Sequence, residues 1–166
     1  KKSKLNKNSI YILIDIFITS NNLSIARYYN GLDKKNLKNK KNIFFVPTIL
    51  YLNIFKLPIL VKQIRNNKNF ILKEDFINFS DIIYAFNYIF RKKKFYTKYI
   101  NYKNWDLSNL IRKELSKYSD FRATLISILN YRFAKNLCYK NIKLKKVIDW
   151  FENTTVDKGW NLGFRK

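Results

Sequence analysis

The chain contains no histidine and no methionine, and it holds one cysteine, three glycines and two prolines. Without histidine there is no Ser-His or Cys-His catalytic pair, and no zinc site is expected. The single cysteine, Cys138, excludes a disulfide within the chain, which fits a reducing compartment such as the cytoplasm. No apolar run approaches the roughly 18 residues that a membrane-spanning helix needs, so none is predicted.

The lack of methionine also bears on the ends of the chain. A chain without methionine does not begin at a natural start codon, and this one stops inside a periodic segment shortly after two glycines. We therefore expect an internal piece of a longer protein. Residues 1–8 are predicted to be a flexible basic lead, and residues 9–166 a single α/β domain that is incomplete and continues past Lys166.

Acidic residues are few as well: 11 against 34 lysines and arginines, for a formal net charge of +23. Such a balance usually suggests nucleic acid or an anionic membrane as a partner. Here lysine is abundant together with Asn, Ile, Phe and Tyr, which is typical of an AT-rich genome, and the lysines are spread along the whole chain. Nucleic acid is therefore not the expected partner. A non-enzymatic nucleic-acid-binding module remains the alternative, and it predicts a clustered positive face.

Apolar segments alternate with segments of helical periodicity along the chain. β-Branched and aromatic runs predict strands at residues 10–19, 43–46, 70–72 and 147–151. Pro47 is placed in the first turn of a helix, and Asp81, Asp106 and Asp120 are placed as the N-caps of three more. This alternation predicts an α/β fold, Rossmann-like, with a mostly parallel sheet and helices on both faces.

The closing segment, residues 147–166, holds the candidate site. Glu152 and Asn153 follow the last predicted strand, at the carboxyl edge where open parallel sheets bind ligands. The next helix is expected to begin near Val156, and its free N–H groups favour an anion. Glu152 is the best carboxylate for general-base work, with capping of that helix as its alternative role.

Two glycines and a tryptophan mark the last helix. Gly159 and Gly163 are four residues apart, so they share one helix face, where either a ligand or a packed sheet would approach closely. Trp160 could stack on a sugar or a base. Asp157 fits a first-turn acid stabilised by the helix dipole better than it fits a catalyst.

The run WFENTTVDKGWNLGFRK resembles a motif of bacterial surface-carbohydrate (capsule or lipopolysaccharide) biosynthesis proteins. That family is glycosyltransferase-like, with two Rossmann-type halves of the GT-B kind. The resemblance covers about residues 106–166, and Thr154 stands where the family commonly has glutamine. By resemblance, this chain would be the N-terminal half of such a two-domain protein.

The resemblance implies transfer of a sugar from a nucleotide-sugar donor to a glycan or lipid-linked acceptor, without a metal or a further cofactor. Glu152 would be catalytic. The substrate-binding candidates are Asn153, Asp157, Lys158, Trp160, Asn161 and Arg165. The protein would be cytoplasmic, with peripheral association at the inner membrane. An inactive carbohydrate-binding homologue is the other reading of the same motif.

Overall fold

The computed structural model describes residues 4–18, 42–49, 54–92, 100–116, 121–149 and 154–165. Its strands are β1 (Ile10–Ile18), β2 (Ile43–Ile49), β3 (Asn101–Tyr102), β4 (Trp105–Asp106) and β5 (Lys143–Ile148). Its α-helices are α1 (Leu57–Asn66), α2 (Phe79–Phe86), α3 (Tyr88–Lys92), α4 (Ser108–Ser116), α5 (Phe121–Tyr139) and α6 (Thr155–Phe164). Short 3₁₀ turns cover Ile54–Lys56 and Lys73–Phe76.

The main sheet is parallel, with strand order β2-β1-β5. Phe70 adds one parallel bridge to Phe45 on the outer side of β2. The predicted α/β class is confirmed at this level: a three-stranded parallel sheet flanked by helices. A separate two-stranded hairpin joins β3 to β4.

The two faces of the sheet bury two different cores. Because side chains alternate along a strand, Tyr11 and Leu13 of β1 point to one face, where they pack with Phe133 and Trp160 of α5 and α6. Ile14, Ile16 and Ile18 point to the other face and pack against the apolar side of α1. Helices therefore cover both faces, as an apolar parallel sheet requires.

Pro47 lies inside β2, paired with Ile16, and does not begin a helix as predicted. The sheet tolerates the missing N–H because the proline nitrogen faces away from β1. Phe45, two residues earlier, exchanges its backbone hydrogen bonds with Asn69 and Ile71 rather than with β1. Pro47 points to the same side, beyond the single bridge, where no ladder partner needs its N–H.

The other helix starts that the structure describes differ from the predictions by up to three residues, and the predicted cap Asp120 lies outside the described residues. Asn78, not Asp81, caps α2, and Asp81 is the third residue of the helix, where it completes a capping box. Asp106 precedes α4 and accepts a hydrogen bond from the Ser108 N–H, close to the predicted cap. Pro58 falls in the first turn of α1, where its missing N–H is no loss.

The last strand also lies earlier than predicted. β5 covers Lys143–Ile148, so Asp149 is the first residue beyond its carboxyl end. Thr154 then caps α6 and forms a capping box with Asp157. At the other end of the chain, Leu5 in the lead segment is buried in the core beside Tyr11. Within the described residues, no helix is long and apolar enough to cross a membrane.

Candidate functional site

Four polar side chains are buried together near the carboxyl ends of the central strands. Asp15 lies on β1, on the same face as Tyr11 and Leu13, and Thr48 lies near the end of β2. Lys73 enters from the 3₁₀ turn that follows Leu72, and Asn130 projects from α5. All four are at most 5% exposed, so their polar atoms must satisfy one another.

Their contacts form one connected network. Lys73 Nζ donates to Thr48 Oγ1 and to Asn130 Oδ1, the latter at 2.7 Å, and lies 3.7 Å from Asp15 Oδ1. Thr48 Oγ1 donates to Asp15 Oδ1 at 3.0 Å. Burial lowers the pKa of Lys73 and raises the pKa of Asp15, and each charge partly offsets the other's shift.

Asp149 extends this network towards the surface. Asn161 of α6 donates to its Oδ2 at 2.7 Å. Among the described residues no hydrogen-bond donor reaches its buried Oδ1, although the carboxyl of Asp15 lies within hydrogen-bonding range of Asp149. Burial, and after it the charge of Asp15, raise the pKa of Asp149 to about 6. Two neighbouring carboxyls disfavour each other's charged form, which accounts for the raised pKa.

A wide groove of about 1020 Å³ runs along β5 and the ends of α5 and α6, with Asp149 at one end. Among the described residues, its charged lining consists of six cations and that one carboxylate. The cations are Lys135, Lys143, Lys145, Lys146, Lys158 and Arg165. We call this surface the basic groove.

An irregularity in β5 contributes to the positive charge of the basic groove. The register between β1 and β5 shifts between Tyr11 and Ile12, whose partners are Leu144 and Lys146. One extra residue, Lys145, is thereby inserted into the edge strand. A bulge of this kind re-aims neighbouring side chains, and Lys145 and Lys146 are both exposed.

The residues predicted from the closing motif have different positions in the structure. Glu152 and Asn153 lie outside the described residues. Trp160 is 1% exposed and stacks on Phe133 in the core, so it offers no face to a base or a sugar. Asp157 bonds the backbone N–H and the hydroxyl of Thr154.

The other three predicted residues lie along the basic groove. Lys158 and Arg165 are exposed on its wall. Asn161 lines the groove and orients Asp149. The position assigned to Glu152, directly beyond the last strand, belongs to Asp149, because β5 ends three residues earlier than predicted.

Sequence reasoning missed Thr48, Lys73, Asn130 and Asp149 as members of a site. Asp15 carried a usable signal, since it is the single charged residue in a nine-residue apolar strand. Lys73 carried none, because one lysine among many is not distinctive. No group of three or more His, Cys, Asp or Glu side chains suited to a metal ion occurs in the part of the chain that the structure describes.

Fold and groove together define a parallel α/β domain with a cationic surface beside its edge strand. The chain is similar to the cysteine–tRNA ligase of Buchnera aphidicola subsp. Cinara cedri (strain Cc), with 31% identity over 116 residues. The aligned region is 69% of this chain and 23% of the ligase, so the chain spans about a quarter of that relative's length. No family model matches the chain, and no solved structure matches it significantly.

This comparison overturns the functional prediction made from the closing motif. The named relative is an aminoacyl-tRNA ligase, so the prediction of a glycosyltransferase of capsule or lipopolysaccharide biosynthesis is wrong. The structure supplies a physical reason. Gly159, Trp160 and Asp157 serve helix packing, the core and a helix cap, roles that carry no information on a substrate. The resemblance of the motif itself to that family is not tested and stays a prediction.

Proposed function

We propose that the chain is an RNA-binding α/β segment that holds the phosphate backbone of a structured RNA, such as a tRNA, in the basic groove. The observation that carries this is the ratio of six cations to one carboxylate around a single groove. The similarity to a protein whose name gives tRNA as a substrate supports RNA over other polyanions. We further propose that the sheet is Rossmann-like and belongs to a larger protein.

The clustering of charge addresses the objection that the lysines are a product of genome composition. Composition alone would scatter lysine and arginine evenly, whereas the groove gathers cations from β5, α5 and α6. Phosphates neutralised by such a row release counterions, which supplies most of the affinity for nucleic acid in general. The wide, open shape of the groove suits a backbone rather than a small molecule.

The lysines of β5 also have a role that needs no ligand. Charged side chains and bulges on an edge strand discourage pairing with a second molecule. That role predicts a change in aggregation on charge removal, and it predicts no RNA binding. The two readings therefore separate in a direct binding measurement.

Reversing two charges in the basic groove is expected to weaken RNA binding. For Lys145→Glu/Lys146→Glu, we expect the Kd for a fluorescent tRNA at 50 mM salt to rise at least about tenfold, since two phosphate contacts become repulsive. The slope of log K against log salt should fall in magnitude by about 1 to 2. Fluorescence anisotropy across a salt series measures both quantities.

The matched control is Lys62→Glu/Lys68→Glu, which makes the same charge change at exposed positions on and just after α1, the helix on the opposite face of the sheet. A general effect of net charge would weaken binding equally in both variants. Equal losses, or wild-type binding that is insensitive to salt, would remove the groove as the RNA site.

Binding should also tighten as the pH falls from 7.5 to 5.5. The pKa of Asp149 is raised to about 6, so the one carboxylate among the described residues that line the groove becomes neutral over this range. Loss of one repulsive charge near the surface is worth on the order of 1 kcal/mol, a gain of roughly fivefold in affinity.

The groups that face Asp149 are Asp15 from β1, Asp157 and Asn161 from α6, and Lys73 from the 3₁₀ turn. Asp149→Asn should bind at pH 7.5 about as tightly as wild type binds at 5.5, with little dependence on pH. Asp75→Asn, which changes a half-exposed carboxyl paired with Arg65, should keep the wild-type profile. A pH profile unchanged by Asp149→Asn would contradict the assignment.

A further inference from the structure

A second, smaller cavity lies beyond the carboxyl end of β2, and none of its lining residues belongs to the basic groove. Its volume is about 210 Å³. The walls are apolar and come from Pro47, Ile49, Ile77, Ile82, Ile126 and Leu129. The polar groups that reach it include Thr48, Lys73 and Asn130, from the buried network described above. Apolar walls with a few convergent polar groups are typical of a small-molecule site.

The amine of Lys73 is held at this cavity from several sides. Thr48 Oγ1 and Asn130 Oδ1 accept its hydrogen bonds, and Asp15 Oδ1 lies 3.7 Å away. The Trp160 ring closes a further side, with its centroid 5.2 Å from Nζ. The side chain of Lys73 is only 6% exposed, and Lys73 lines the cavity, so a small molecule in the cavity would contact it.

Burial of Lys73 acts against the charged form of its amine. Burial lowers the pKa of Lys73, against the opposing charges of Asp15, Glu74 and Asp149. Burial likewise raises the pKa of Asp15. The two hydrogen bonds that Lys73 donates do not require the charge, because a neutral amine still has two N–H groups and a lone pair. A desolvated lysine with a neutral amine is a nucleophile towards carbonyl carbon.

We propose that this cavity binds a small aliphatic aldehyde or ketone and that Lys73 condenses with it to form an imine. In its uncharged form, Lys73 Nζ attacks the carbonyl carbon, and one of its two hydrogens passes to the carbonyl oxygen to give a carbinolamine. The hydroxyl of the carbinolamine then leaves as water with the remaining hydrogen of the nitrogen, as the C=N bond forms. The sum is amine plus carbonyl giving imine plus water.

The size and walls of the cavity set the class of carbonyl compound. At roughly 30 Å³ for each water-sized atom, the volume holds about seven non-hydrogen atoms. Glu74 is the one acidic residue among the described residues that line the cavity, and its carboxylate would repel a phosphate. A short, uncharged aliphatic chain therefore fits and a sugar phosphate does not. The buried ion pair as a purely structural element is the competing explanation, and it predicts an unreactive lysine.

The test is reductive trapping on the whole chain. Butanal and cyanoborohydride at pH 7, in limiting amounts, should give a first butyl adduct that peptide mass mapping places on Lys73. We expect labelling of Lys73 at least about tenfold faster than labelling of the exposed Lys62 and Lys68, which do not line the cavity. Adducts at exposed lysines with Lys73 unmodified would overturn the proposal.

Two further experiments distinguish binding in the cavity from general reactivity of Lys73. A naphthaldehyde, too large for the cavity, should lose the preference for Lys73 in the wild-type protein. Equal preference for both aldehydes would mean that Lys73 reacts from a locally opened state, and the cavity would be rejected as a binding site. Ile126→Trp, which fills the cavity, should abolish butanal labelling of Lys73 and leave Lys62 labelled as before. The wild-type maps decide the matter even if this variant does not fold.

Discussion

Gly159→Ala is expected to lower the free energy of unfolding by about 3–5 kcal/mol, enough to leave much of the protein unfolded at 37 °C. A Cβ at this position would fall on the backbone carbonyl of Ser127 in α5, 2.5 Å from its carbon. A backbone group cannot rotate away as a flexible side chain can. The two helices would have to separate, and the α6 wall of the basic groove would move with them.

Urea unfolding followed by circular dichroism measures this effect, with Leu162→Ala as the control. Leu162 is on the same helix but 56% exposed, so its truncation should cost under about 1 kcal/mol. A Gly159→Ala protein within that range of wild type would show that α5 and α6 do not pack as closely as the structure indicates.

The clash expected at Gly163, unlike the one at Gly159, can be relieved by a second substitution. A Cβ there would lie 2.6 Å from the Cβ of Ala134 and 3.1 Å from the backbone of Tyr131. Since the closest clash is with a side-chain atom, Ala134→Gly should restore part of the stability lost in Gly163→Ala. The sequence pattern indicated close packing at these two glycines, and only the structure shows that the partner is a helix rather than a sheet or a ligand.

Asp81→Asn is expected to cost about 3 kcal/mol of unfolding free energy at pH 7. The Asp81 side chain is 1% exposed and accepts hydrogen bonds from Arg132 Nε at 2.5 Å, Asn136 Nδ2 at 2.6 Å and the Asn78 N–H at 2.8 Å. An amide in its place brings an NH₂ group among donors and leaves Arg132 without its counter-charge. Because Arg132 is 26% exposed, water can solvate it in part, which places the loss at the lower end for a broken buried pair.

The same variant predicts a particular dependence on pH. Burial acts to raise the pKa of Asp81, but the hydrogen bonds from Asn78, Asn136 and Arg132 outweigh it and hold the pKa below its usual value. For a lowered pKa, the stabilisation is present above the unfolded value near 3.9 and is lost as the pH falls through the folded value. The difference between wild type and Asp81→Asn should therefore be constant from pH 5 to 8 and shrink below about pH 4.

Asp75→Asn is the matched control for Asp81. Its ion pair with Arg65 spans 3.2 Å, but both side chains are nearly half exposed, at 45% and 46%. Such a pair is worth at most about 1 kcal/mol. Chemical denaturation across the pH range measures the unfolding free energy of both variants. Equal losses in the two variants would contradict the stabilising role of the buried Asp81 network.

Local patterns account for the parts of the fold that were predicted well. The nine-residue apolar run of β1 and the helical periodicity of α5 each specify an element without help from distant residues. The predicted strand at residues 70–72 shrinks to a single bridge at Phe70, and Pro47 lies in β2 against a sound local rule. Both outcomes depend on which backbone groups of the neighbouring strand need hydrogen-bond partners. No local sequence pattern encodes this.

The sequence by itself determined the α/β class, the strand β1, the absence of a disulfide within the chain, and the first turn of α6. Each of these follows from composition or from contacts within a few residues. The tertiary structure decided the rest. Lys73 contacts Asn130, Thr48 and Asp15, which are 57, 25 and 58 positions away from it in the sequence. Asp149 and the cations of the basic groove likewise come together only through strand register and helix packing, because contacts between distant residues depend on the whole folded chain.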